Sequence, residues 1–141
     1  MKKLPDYKEH KDRQIRINSA VNAARAISQL DLYPSHKREL LSVCIWKITE
    51  ADGKNKVRYW SAGTIDNPEK KIQHEHVVTR KELVDLILAG VDAEILASKA
   101  IACMVTESEH ILLGNQKAQG WQRYKDANIR VFDAKNKDWL W

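Results

Sequence analysis

The sequence predicts an α+β fold, and three of its features carry that prediction. Apolar residues recur at helical spacing near the N-terminus. Runs rich in β-branched and aromatic residues, separated by turn signals, follow in the middle of the chain. Thr79/Glu82 and Thr106/Glu109 each have the Thr-x-x-Glu spacing that opens helices. The expected order is an N-terminal helix, a β-hairpin, a helical insert and a strand–helix unit, closed by a last helix and strand. No linker, repeat or low-complexity segment stands out, so residues 1–141 read as a single domain with residues 1–9 as a loose lead.

Within residues 10–30, Ile15, Ile17, Val21, Ala24, Ile27 and Leu30 form the apolar stripe, with Arg13, Arg16 and Arg25 mainly outside it. Pro34 disfavours the helical conformation at Tyr33, so the helix is expected to end there, with Ser35 capping a short turn through Leu40. Residues 41–49 read as a strand, Asp52-Gly53 as a turn and residues 56–64 as the returning strand, with Trp46 and Trp60 packing across the hairpin. A polar connector leads to an extended stretch at 74–78. Thr79 caps a helix over 80–88 that stops at Gly90, and Asp92 caps another over 93–100. Residues 101–105 are a short buried strand, and Thr106 opens a helix carrying His110 and Leu112. A helix over 121–128 and a strand over 129–133 complete the chain. The expected core is Ile15, Val21, Ile27, Val43, Ile45, Leu83, Ile87, Ile101, Met104, Leu112 and Val131.

Composition narrows the function classes. A chain of 141 residues, 43% apolar, can bury a real core. No run approaches the roughly 20 apolar residues of a membrane span, and the N-terminus turns polar at once, so neither a membrane nor a secretory signal is expected. Cys44 and Cys103 lie in apolar runs and read as buried reduced thiols, which fits a cytoplasmic protein. A formal charge of +5 and a pI of about 9.2 suit a polyanionic partner such as nucleic acid. The apolar tail Trp139-Leu140-Trp141 offers a surface for a protein partner. No Gly-rich phosphate loop or dinucleotide fingerprint is present.

The chemistry-bearing residues concentrate in two places. His74-Glu75-His76 sits in the extended stretch, where alternation puts both imidazoles on one face and the carboxylate on the other. Thr106-Glu107-Ser108-Glu109-His110 follows the later strand. A divalent ion held by one or two oxygen or imidazole ligands leaves positions for water and phosphate, and a neutral histidine can take a proton from that water. A zinc set of Cys103, His110, His74 and His76 has the right ligand types without finger-like spacing. Cys103 as a nucleophile is disfavoured by its apolar surroundings.

Glu75-His76-Val77-Val78, followed by Thr79-Arg80, resembles the first motif of the HNH, or ββα-metal, nuclease superfamily. Residues 101–105 resemble its second strand, and Glu109-His110 resembles its helix motif ending in His. The resemblance covers roughly residues 73–113, which would form a ββα-metal-like unit. It implies a divalent-metal-dependent endonuclease hydrolysing phosphodiester bonds in DNA or RNA. His76 would be the general base and Arg80 would face the phosphate. Glu75 and His110 would hold the metal, with His74 and Glu109 as auxiliaries. Mg²⁺ or Mn²⁺ suits the oxygen ligands, and Zn²⁺ or Ni²⁺ suits a site dominated by imidazole. No Asn lies between His76 and His110 where the family usually has one. That departure favours the alternative, a non-catalytic basic module that binds nucleic acid or protein and carries a degenerate metal site.

Overall fold

The computed structural model describes residues 3–141. Helices and a mixed five-stranded sheet make it an α+β protein. It comprises two compact units, each assembled from separate stretches of chain. One, the helical unit, takes residues 9–53 and 78–101. The other, the sheet unit, takes residues 3–8, 54–77 and 102–141. No helix among the described residues is long and apolar enough to cross a membrane.

The helical unit holds α1 (Arg13–Gln29), α2 (Pro34–Thr49), α4 (Arg80–Leu88) and α5 (Ala93–Ala97), whereas α3 (Ala62–Asp66) belongs to the sheet unit. Residues 41–49 belong to α2, so the predicted strand and its hairpin with residues 56–64 do not form. The physical reason lies in the spacing. Leu41, Cys44, Ile45 and Ile48 are the buried residues of α2, and they recur at i, i+3, i+4 and i+7. Burying that stripe outweighs the weak preference of its β-branched residues for strands. Pro34 both ends the connection from α1 and starts α2, because at N1 its missing N–H costs no helical hydrogen bond. The unit's core joins this stripe to Ala20, Val21 and Ala24 of α1, Leu83, Val84 and Ile87 of α4, and Leu96 of α5. Ile15 and Val43, both expected in the core, are instead exposed: each lies on its helix off the buried stripe. The cap positions hold, with Thr79 accepting from the Glu82 amide and Asp92 from the Glu94 amide.

The sheet unit contains β1 (Tyr59–Ser61), α3 (Ala62–Asp66), β2 (Ile72–His76), β3 (Ala102–Thr106), α6 (Glu107–Gly114), α7 (Trp121–Asp126), β4 (Val131–Asp133) and β5 (Asp138–Trp139). Strand order is β2-β3-β1-β4-β5. β2 runs antiparallel to β3, β3 parallel to β1, and β1 antiparallel to β4. β3 is buried at every position, as a strand flanked on both sides should be. Leu112, expected in the core, is exposed on α6, which buries Leu113 instead.

The register sorts side chains by face. Glu75 pairs with Cys103, Cys103 with Tyr59 and Tyr59 with Asp133, so these four share one face of the sheet. His74 pairs with Met104 and His76 with Ala102, which places both imidazoles on the opposite face. There Met104 and Ala102 pack with Val57, Trp60 and Ile72.

Candidate functional site

The face that carries Glu75 receives α6 and α7. Thr106 ends β3 and caps α6: its hydroxyl accepts from the Glu109 amide, and the Glu109 carboxylate accepts from the Thr106 amide. The capping box fixes where the first turn of α6 points, and His110 in that turn comes to lie against β2. Its Nδ1 contacts Glu75 Oε2. The His110 side chain is 49% exposed, whereas that of Glu75 is only 9% exposed.

α7 supplies the counter-charge. The Arg123 side chain, 4% exposed, donates from Nη2 to Glu75 Oε1 at 3.1 Å, and also to the carbonyls of His76 and Val77. One carboxylate oxygen thus faces a buried guanidinium and the other a half-exposed imidazole. Taking a carboxylate out of water is costly unless it is paired and fully hydrogen-bonded, and Arg123 meets that requirement. Beside this network Tyr124 and Cys103 are completely buried. Burial pushes the Cys103 thiol well above its ordinary value, with the charge of Glu109 adding to the effect, so it stays protonated and is no nucleophile. Burial raises the Tyr124 phenol in the same way.

Glu109 is held apart from the pair. Its carboxylate takes the Ser61 hydroxyl at 2.6 Å in addition to the Thr106 amide. It lies so close to Gly63 of α3 that a Cβ there would fall 2.6 Å from the carboxylate. Gly63 therefore reflects a close approach between α3 and α6.

Of the residues singled out in the sequence, Glu75 and His110 come together. His74 and His76 lie on the other side of the sheet, with ring centroids 5.1 Å apart. Glu109 is committed to Ser61 and the α6 cap. Arg80 belongs to the helical unit, where it donates to the Ser42 hydroxyl at 3.0 Å and stacks 4.7 Å over the Trp46 ring. Among the described residues, no three of His, Cys, Asp and Glu converge as a metal-binding group. The four-residue donor set of Glu75, His110, His74 and Glu109 is not assembled, and neither is the zinc set. Arg123 is the member that sequence reading missed. Its only local sign is a cation between Trp121 and Tyr124 in a short helix, and nothing in the sequence links it to a carboxylate 48 residues away.

The charge is as unevenly placed as the chemistry. Residues 1–8, 54–77 and 102–141 contain 14 Lys and Arg against nine Asp and Glu, while the rest of the chain contains ten of each. The whole formal charge of +5 therefore belongs to the sequence of the sheet unit, which holds the Glu75–His110 pair.

No protein-family model, curated protein or solved structure matches this chain.

Proposed function

We propose that the protein cleaves phosphodiester bonds of nucleic acid, with His110 as the group that moves the proton. The observation that carries this reading is the Glu75–His110 contact. A buried carboxylate anchored by Arg123 holds Nδ1 of a half-exposed imidazole, which leaves Nε2 for a substrate. A base within reach of solvent, oriented by a third group behind it, is the arrangement general-base catalysis needs. Glu75 fixes the ring and its tautomer and stabilises the imidazolium that forms on proton uptake. The basic sequence of the same unit favours a polyanionic substrate.

Divalent-metal-dependent hydrolysis of the HNH type is the second reading. It is favoured by the meeting of Glu75 and His110, the two residues its resemblance assigns as metal ligands. It is opposed by Arg123, whose charge already occupies the Glu75 carboxylate, and by the position of His76 on the far face. The donors present do not fit a divalent ion well, so no step of the proposed reaction runs through one. A non-catalytic basic binding module is the remaining alternative.

Cleavage of labelled single-stranded and duplex RNA and DNA, with and without EDTA, separates the three. The proposal expects activity that survives EDTA, falls about 10²–10⁴-fold in His110→Ala, and persists in His76→Ala. Activity lost in EDTA and in His76→Ala establishes the metal-dependent reading. Binding without cleavage under every condition leaves the binding module.

A further inference from the structure

α7 faces two ways. Arg123 reaches back to Glu75, while Trp121, at the start of the same helix, packs edge-on against Tyr59 with centroids 5.0 Å apart. Tyr59 lies in the same cross-strand row as Glu75, two strands further along, or about 10 Å at ordinary strand spacing. Trp121 also meets the Trp141 ring at 5.9 Å. Trp121, Trp139 and Trp141 are each only partly buried. Exposed cations lie against these rings: Lys125 Nζ is 5.2 Å from the Trp141 centroid and the Arg130 guanidinium 4.4 Å from that of Trp139. Two hydrogen bonds hold the segment that carries Trp139 and Trp141. Arg130 Nε donates to the Trp141 carbonyl at 3.0 Å, and the Leu140 amide to the Val131 carbonyl at 2.9 Å.

From this arrangement we infer that Trp121 and Trp141, flanked by Lys125 and Arg130, form a stacking platform for single-stranded nucleic acid running past the Glu75–His110 pair. The inference deepens the proposed function by naming its substrate as a single strand. Unpaired bases offer π-faces that tryptophan accepts whatever the sequence, and neighbouring cations follow the phosphates. A duplex keeps its bases stacked inside and presents no such faces. The complementary charge is local, since the sheet-unit sequence holds the protein's whole excess of cations. The row shared by Glu75 and Tyr59 joins platform and site on one face of the sheet.

The test uses the full chain carrying His110→Ala, so that bound oligonucleotide stays intact, and reads anisotropy of fluorescein-labelled 12-mers of single-stranded RNA, single-stranded DNA and duplex DNA. Tighter binding of single strands is expected. Adding Trp141→Ala should weaken it roughly tenfold or more, with Trp141→Phe recovering most of the loss. Trp141→Ala removes the ring and keeps the backbone anchor to Arg130, and an unchanged melting curve confirms the fold. Lys125→Gln should lower the slope of log K against log salt by about 0.7. Preference for RNA over DNA assigns a role to the 2′-hydroxyl within the same platform. Equal affinity for duplex, or no change on removing the Trp141 ring, overturns the inference. So does self-association that Trp141→Ala abolishes, because a second copy would then cover these rings. Cleavage by the wild type is measured in parallel. Stacking without cleavage defeats the nuclease reading alone, and cleavage without loss of binding in Trp141→Ala defeats the platform alone.

Discussion

In the helical unit the charges balance, and among the described residues the ion pairs of α2, α4 and α5 lie at the surface, while Arg13 of α1 meets Asp52, whose side chain is 6% exposed. Arg25 meets Asp92 and Glu94, Arg38 meets Asp85, and Lys81 meets Asp85 one turn away. In the sheet unit the charges do not balance; Arg58 meets an Asp133 whose side chain is 4% exposed, much as Arg13 meets Asp52, but Arg123 and Glu75 are both buried, at 4% and 9% exposure. Surface pairs exchange one well-solvated state for another and contribute little. Buried pairs must recover the loss of two hydration shells, and apolar residues of similar size are often at least as stabilising. The helical unit thus reads as scaffold held by its apolar core. The sheet unit retains a pair with both charges buried where the candidate chemistry lies, and substitution tests that difference.

The largest effect is expected from Arg123→Ala, which strands the Glu75 carboxylate and should cost about 3–5 kcal/mol of unfolding free energy. Arg123→Met combined with Glu75→Leu should recover most of that loss in urea titration. If it does, the pair is retained for its effect on His110 and not for stability. If the double variant is as unstable as the single one, the contrast between the units weakens.

Next comes Asp133→Asn. Arg58 donates to both carboxylate oxygens at 2.7 Å, and the Asn136 and Lys135 amides add further bonds. Those partners, Arg58 foremost, hold the Asp133 carboxyl below its ordinary range. A depressed native value means that the stabilisation is fully present above the unfolded value near 3.9 and is lost as pH falls through the native one. Asp133→Asn should therefore cost about 1.5–3 kcal/mol at pH 6, and the gap to wild type should close as pH drops below about 4. A gap independent of pH would show that the ionised carboxylate is not its source.

A smaller loss, about 1–2 kcal/mol, is expected from Gly63→Ala, whose new methyl would press on a Glu109 carboxylate already tethered at Ser61 and Thr106. Least of all, Arg25→Ala should leave the thermal midpoint unmoved within experimental scatter, and a clear drop would mean that the surface pairs of the helical unit do more than balance charge.

Much of this was legible where the signal is local. The capping box at Thr106 and Glu109 predicted the start of α6, and the alternation of His74, Glu75 and His76 predicted opposite faces for carboxylate and imidazoles. Residues 41–49 carry two opposed signals: their β-branched composition favours a strand, and the i, i+3, i+4, i+7 spacing of Leu41, Cys44, Ile45 and Ile48 favours the helix that forms. β1, at three residues, was expected to pair with those residues in a hairpin and instead lies between two strands that come much later in the chain. The Arg123–Glu75 pair was invisible for a related reason: it joins a helix and a strand 48 residues apart, and no periodicity encodes a partner at that range.

The order of the strands has a consequence for synthesis. As the chain emerges from the ribosome, the last helix of the helical unit is complete by residue 97. At that point β1 has neither neighbour, because β3 begins at residue 102 and β4 at residue 131. The helical unit can therefore close while the future sheet is still two unpaired strands with apolar side chains open to water. Long-range pairing of this kind is slow and prone to association. Pausing of translation between residues 60 and 130 should thus lower the yield of native protein more than a pause of equal length before residue 50.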